Sequence, residues 1–121
     1  MPLPNGFPLL VDPYMRDAGI AVFVGTVATG VVTKVGGLCT CGDFSSGIAP
    51  VTFPKCKKAI ALSGTEDANS TTQGDNHDLV LVDINAEAGT ANLQSRSFDA
   101  TPAVNEAPAD GTFSFTLLLS W

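Results

Sequence analysis

The sequence predicts an all-β protein, a single compact β-sandwich or small barrel of about seven to eight short antiparallel strands with a Pro-rich N-terminal arm. Short apolar runs recur between clusters of Gly, Pro, Asn and Asp, which is typical of strands separated by turns. No window keeps its apolar residues at the 3.6-residue spacing of an amphipathic helix. The length of 121 residues fits one domain.

The chain begins with residues 1–13, which we predict to be an extended arm. This segment holds four prolines, and proline fixes φ and lacks a backbone donor, so a helix is disfavoured. Its apolar side chains include Leu3, Phe7, Leu9 and Leu10. A surface of this kind must be covered, either by the chain's own domain or by a neighbouring subunit. Residues 14–121 are expected to form the β-sandwich domain.

Seven segments of that domain carry strand patterns. Residues 20–27, IAVFVGTV, are apolar on both faces, which indicates a central strand or a subunit contact. The other segments are 31–35, 51–53, 58–62, 79–84, 90–98 and 112–121. We predict loops at 36–50, which is rich in Gly, and at 63–78, which is strongly polar, and a Pro-rich connection at 99–111.

The last strand carries the largest apolar face of the chain. From Thr112 onward every second residue is large and apolar, and Leu118 alone breaks the alternation. The face comprises Phe113, Phe115, Leu117, Leu119 and Trp121. Burying each such side chain stabilises a fold by roughly 1.5–3 kcal/mol, so the strand is predicted to lie in the core. Trp121 leaves an alternative open, because aromatic residues also suit docking into a neighbouring subunit.

The charge distribution argues against one class of partner. With 6 Lys and Arg residues and a net charge of −6, the chain is poorly suited to bind a nucleic-acid backbone. The acids concentrate in residues 59–121, which form either a solvated face or a complement to a partner's basic surface. The sequence shows no uninterrupted apolar membrane span and no basic start of a signal peptide. We therefore expect synthesis in a cytoplasm and no membrane association.

Three cysteines, Cys39, Cys41 and Cys56, are the first candidates for chemistry. Zinc needs four ligands, usually with C-x2-C pairs, whereas this spacing is C-x-C followed by C-x14-C, with His77 as the one further nitrogen ligand. A disulfide from Cys56 to Cys39 or to Cys41 would tie the Gly-rich loop to the next strand. We favour three free thiols, two of them packed, and expect neither a metal nor a cofactor.

The polar segment 63–78 has the composition of a calcium loop without its pattern. Its acidic and amide residues include Glu66, Asp67, Asn69, Asp75, Asn76 and Asp78. Thr72 stands where an EF-hand loop beginning at Asp67 requires Gly, so we predict a solvated loop with His77 exposed in it. The motifs G-x-S-x-G and H-E-x-x-H and a Gly-rich phosphate loop are missing from the sequence, so no enzyme activity is expected.

Taken together, these features resemble the small cement or decoration proteins of tailed-bacteriophage capsids. The resemblance rests on class features: cytoplasmic synthesis, this length, a β-sandwich, an N-terminal arm and acidic charge, without a shared motif. It implies a virion protein that binds between capsomers and stabilises the shell. Its partners would be the major capsid protein and copies of itself, in a homo-oligomer with a trimer favoured. The three cysteines depart from that class, which does not require them.

We expect partner contacts from apolar residues of the arm and from two aromatic residues predicted to be free: Leu3, Phe7, Leu9, Leu10, Tyr14 and Phe44. Two alternatives remain. The first is another virion subunit, such as a coat, tail or head-fibre protein. The second is a carbohydrate- or protein-binding β-sandwich module, although a sugar-binding module usually exposes several aromatic residues on one face.

Overall fold

Two four-stranded antiparallel sheets make up the part of the chain that the computed structural model describes, residues 18–67, 77–97 and 104–121. The strands are β1 (Ala18–Ala28), β2 (Val31–Gly37), β3 (Thr40–Cys41), β4 (Ile48–Thr52), β5 (Lys58–Asp67), β6 (His77–Asn85), β7 (Thr90–Ser97) and β8 (Gly111–Ser120). Sheet A has the order β2-β1-β8-β5, and sheet B has the order β3-β4-β7-β6. The predicted all-β class is confirmed, with eight strands and no helix in these ranges. The predicted arm, residues 1–13, lies outside the described residues.

The strand β8 holds the middle of sheet A, paired with β1 on one side and β5 on the other. Its inward residues Phe113, Phe115, Leu117 and Leu119 are buried, as their alternation predicted. The ring of Phe23 on β1 lies between two of them, with centroids 5.4 Å from Phe113 and 5.0 Å from Phe115. Sheet B completes the core with Ala49, Val51, Leu79, Leu81, Ala91 and Leu93.

A two-residue turn joins β1 to β2. Thr29 and Gly30 have φ values of 51° and 79°, the left-handed pair that matches the twist of a tight hairpin. The Thr29 amide donates a hydrogen bond of 2.7 Å to Oδ1 of Asp110, which anchors the turn beside the start of β8. The strand β2 is an edge of sheet A, and most of its residues are exposed.

The two sheets approach each other closely where β5 lies beside β6. A Cβ atom at Gly64 would lie 2.9 Å from the Leu79 carbonyl oxygen and 3.2 Å from the Leu79 Cβ, so the missing side chain permits this approach. The predicted loop over 63–78 is wrong at both ends, because β5 continues to Asp67 and β6 begins at His77. Polar residues suit this part of β5 because it is an edge strand, and Ser63 and Thr65 face solvent.

The Gly-rich segment 36–50, predicted to be a loop, also contributes strands. Thr40 and Cys41 pair with Thr52 and Val51, so β3 forms the edge of sheet B beside β4. The next strand, β4, begins at Ile48 within the same segment. These short pairings carry little apolar alternation, and the sequence pattern did not reveal them.

Candidate docking surface

Apolar side chains line the outer face of sheet A across three strands. Ile20 on β1 and Ile60 on β5 both lie opposite Leu118 of β8, and residues in such register have neighbouring side chains. Ile20 and Ile60 are 49% and 48% exposed, and Leu62, beside the bulge in β5, is exposed to a similar degree. We call Ile20, Leu118, Ile60 and Leu62 the outer apolar row.

Basic and small polar residues border the outer apolar row along the strands. Lys58 precedes Ile60 by two residues, the spacing that puts both side chains on one face of the strand, and it is exposed and lies opposite Ser120. In the other direction, Thr116 and Ser114 continue the outer face of β8 beyond Leu118. A partner that covered this row would therefore meet an apolar strip with a positive end.

The outer face of sheet B has a different chemistry. Its central strand β7 places Asn92 and Gln94 there, and both side chains are held by hydrogen bonds. The Asn92 amide donates to Oδ2 of Asp83 at 3.2 Å, and the Gln94 amide donates to Oδ1 of Asn105 at 3.2 Å. The apolar residues Val80, 43% exposed, and Ile48, 36% exposed, also lie on this face, but the polar side chain of Gln94 stands between them, opposite both. The two outer faces are therefore unequal, and sheet A offers the more apolar one.

An apolar cavity of about 390 Å³ lies at the end of the sandwich where β1 begins, and we call it the end cavity. Its walls come from β1, from the connection between β2 and β3, from the segment after β4, and from the end of the chain: Gly19, Ile20, Ala21, Leu38, Pro54, Leu119 and Trp121. Gly19, Ala21 and Leu119 are buried, whereas Leu38, Pro54 and Ile20 are exposed at the rim. Ile20 belongs to both the cavity and the outer apolar row, so the two features adjoin.

The placement of Trp121 corrects the sequence prediction. Phe113, Phe115, Leu117 and Leu119 are buried as expected, but Trp121 follows the end of β8 and remains 36% exposed. Its indole Nε1–H donates to the Lys55 carbonyl oxygen at 2.9 Å, which fixes the ring at the rim of the end cavity. Trp121 is therefore a boundary residue between the core and the surface, because the strand that would have carried it inward ends at Ser120.

Of the residues predicted to contact partners, the structure describes Phe44 alone. Phe44 is not a free aromatic side chain: it is half-buried, and its ring meets Phe113 edge-on with centroids 5.9 Å apart. The remaining residues, Leu3, Phe7, Leu9, Leu10 and Tyr14, lie outside the described residues. The sequence analysis offered a subunit contact as one alternative for residues 20–27, but it did not single out Ile20, Ile60 or Leu38, and it noted Leu118 only as a break in the alternation of β8.

Cys39, Cys41 and Cys56 are free thiols in this structure, and Cys39 and Cys56 are buried. The disulfide considered from the sequence is not formed here. Burial raises the pKa of all three thiols, and for Cys41, where the nearby Asp43 carboxylate adds to the effect of burial, the pKa rises to about 12. A raised pKa keeps these thiols in the neutral form, which is a poor nucleophile.

His77, expected to be exposed in a loop, is instead buried at the start of β6, with a side chain 4% exposed. Its Nδ1 lies 3.1 Å from Oε1 of Glu66, which also accepts the His77 backbone N–H at 2.5 Å. Its Nε2 lies 3.0 Å from Oε1 of Glu106. Each ring nitrogen therefore lies within hydrogen-bond distance of one carboxylate oxygen. The group ties together β5, β6 and the segment before β8.

The polar residues of the predicted calcium-like loop do not lie in one loop. Glu66 belongs to β5 and Asp78 to β6, while Asn69, Asp75 and Asn76 lie outside the described residues. Within residues 18–67, 77–97 and 104–121, no group of three or more His, Cys, Asp or Glu side chains has the geometry to hold a metal ion. The same ranges contain no helix that is long and apolar enough to cross a membrane.

Comparisons of this chain with protein-family models, with curated proteins and with solved structures find no match.

Proposed function

We propose that this chain is a structural protein that acts by contact and docks onto a protein partner through the outer face of sheet A. The observation that supports this proposal is the outer apolar row, in which Ile20 and Ile60 stay about half exposed on either side of Leu118. Removing apolar area from water is favourable by roughly 25 cal/mol per Å², before the entropic cost of association is subtracted. Contiguous exposed apolar side chains on a folded domain are typical of interaction sites.

The specific form that we propose is a capsid cement or decoration protein of a tailed bacteriophage. A small acidic β-sandwich with one apolar outer face suits a protein that lies on a shell and bridges capsomers. Its partners would be the major capsid protein and copies of itself, with a trimer favoured, and its place would be the virion. The Lys58 end of the row favours a partner surface with acidic residues at its rim.

The rival virion roles, as a coat, tail or head-fibre subunit, use the same docking face. A carbohydrate-binding module is the less favoured rival, because such a module stacks sugars on exposed aromatic rings. Among the described residues, Phe23, Phe53, Phe113 and Phe115 are buried and Phe44 is half-buried. In that part of the chain Trp121, 36% exposed, is left as a single partly free aromatic face, whereas a sugar-binding module usually exposes several.

A binding experiment with two matched variants tests the proposal. Ile60→Glu places a charge in the outer apolar row, and Val80→Glu places the same charge at a residue of similar exposure on sheet B. We expect wild type and Val80→Glu to co-sediment with heads of the phage that encodes the protein, and Ile60→Glu to lose most of that binding. Thermal unfolding of the isolated proteins should be similar for both variants, since both residues face solvent.

Two outcomes would contradict the proposal. Equal binding by Ile60→Glu and Val80→Glu would show that the outer face of sheet A is not the docking face. If the wild-type protein fails to bind heads, the proposal that it is a capsid decoration protein is wrong, and the rival functions are favoured.

A further inference from the structure

The end cavity lies where the described chain begins. Gly19 and Ile20 form part of its wall, and β1 starts at Ala18, so the residue to which the preceding segment is joined lies beside the cavity. This observation concerns the end of the sandwich and does not rest on the docking function proposed above, although Ile20 belongs to both the end cavity and the outer apolar row.

The chemistry of the cavity restricts what it can hold. Its wall consists of apolar side chains and glycine, and the one polar atom of the Trp121 side chain, Nε1, is already bonded to the Lys55 carbonyl oxygen. A charged or hydrated group would lose its solvation there without a partner. The cavity therefore suits apolar side chains, and its rim presents an oriented indole together with Leu38 and Pro54.

The segment before β1 contains an apolar run that fits this chemistry. Residues 7–11 read FPLLV and carry no charge. Turn-forming pairs flank the run, Asn5-Gly6 before it and Asp12-Pro13 after it. Proline inside the run favours an extended, polyproline-like conformation, and such segments are recognised by grooves lined with aromatic residues.

The connection is long enough for the run to return to the cavity of its own chain. Six residues, 12–17, separate the run from Ala18, and a chain of that length spans up to roughly 20 Å when extended. A turn at Asp12-Pro13 would direct the run back toward the cavity. A short tether also gives the chain's own segment an effective concentration in the millimolar range, well above that of a second copy in dilute solution.

We propose that residues 7–11 bind in the end cavity of the same chain, with Leu9 and Leu10 as the apolar anchors. The arm then completes the core at the end of the sandwich.

The single tryptophan of the chain reports on this contact, because Trp121 lies at the rim of the cavity. The experiment compares Trp121 fluorescence in the full-length wild type with that in the double variant Leu9→Asp/Leu10→Asp. We expect a red-shifted emission and stronger acrylamide quenching in the double variant. Leu3→Asp, an apolar position of the arm outside the run, is the matched control and should resemble wild type. Leu38→Asp, at an exposed residue of the rim, should produce the same shift from the cavity side.

Dilution separates the chain's own arm from that of a second copy. An arm bound in its own cavity predicts wild-type emission that is independent of protein concentration. A red shift on dilution would overturn the proposal in favour of a second copy. Unchanged emission in both the double variant and Leu38→Asp would overturn it altogether. Circular dichroism of each variant confirms that the sheets are intact, and Leu38→Asp keeps the test valid if the arm variant unfolds.

Discussion

Glu66 and Glu106 contact the same imidazole from two different environments. Glu66 is almost wholly buried and bonds both the ring and the backbone of His77, whereas the Glu106 side chain is 47% exposed. A hydrogen bond to a charged group contributes more when water does not compete for it. The two carboxylates should therefore contribute very different amounts to the free energy of unfolding.

Alanine variants measure this difference. We expect Glu66→Ala to lower the free energy of unfolding by about 1.5–3 kcal/mol, because a buried imidazole and amide lose their acceptor. Glu106→Ala should cost about 0–1 kcal/mol, as solvent-exposed ion pairs do. Urea denaturation of the three proteins gives both values. Equal losses would show that the burial of Glu66 does not determine its contribution.

The burial of His77 was not predictable from its local sequence. Its partners lie 11 and 29 residues away, and the surrounding GDNHD is as polar as a solvated loop. Leu118 is the opposite case, because its place out of phase in β8 is visible in the sequence. That residue alone did not identify the outer apolar row, because Ile20 and Ile60 can be placed beside it only once the strand register is known.

At the scale of the strand, β5 shows how one missing side chain sets the distance between the sheets. Gly64 faces Leu79 of β6 so closely that an added methyl group would press on the Leu79 backbone. Gly36 in β2 has no atom within 4 Å of the corresponding position, although it is also a strand glycine. Alanine substitutions at Gly64 and Gly36 can therefore be compared as a crowded and an uncrowded site in the same sheet.

We expect Gly64→Ala to lower the free energy of unfolding by about 1–3 kcal/mol, since overpacking forces the two strands apart. Gly36→Ala should be neutral or stabilise by up to about 1 kcal/mol, because alanine restricts the unfolded chain without meeting a neighbour. Thermal unfolding followed by circular dichroism provides the comparison. A stable Gly64→Ala protein would mean that β5 and β6 have room to separate.

Much of the fold was predictable at this scale. The alternation of β8 identified its buried face, and the apolar runs identified most other strands. The end of β5 and the start of β6 were missed because both are edge strands. Polar side chains are common on edge strands, where one side meets solvent, so these residues resemble a loop in the sequence. The end cavity was not predictable, since its walls come from segments that are close only in the folded chain.

For the whole molecule, the position of β8 makes the sandwich depend on one strand. Within sheet A, β8 lies between β1 and β5 and is the strand that joins them. The four inward side chains of β8 are all buried. Each of these contributes roughly 1.5–3 kcal/mol, which together rivals the ~5–15 kcal/mol that stabilises a typical domain. Sheet A would therefore separate into two pieces without β8.

We expect a chain that ends at residue 110 to be unfolded. A chain that lacks Trp121 alone should remain folded with a modestly lower melting temperature, because Trp121 lies beyond the strand and is partly exposed. Amide dispersion in NMR spectra distinguishes the two states. Dispersed signals from the shorter chain would show that β1 and β5 can pair without β8.

The place of β8 in the chain also determines when the protein folds during its synthesis. The ribosome releases seven strands before the one that unites β1 with β5. During that interval β1 and β5 each have an unpaired edge. The apolar residues that pack against β8 in the folded protein are then exposed to other chains. Sheet A therefore stays incomplete until β8 has been synthesised, and we expect the incomplete chain to associate with other chains more readily than the folded protein does.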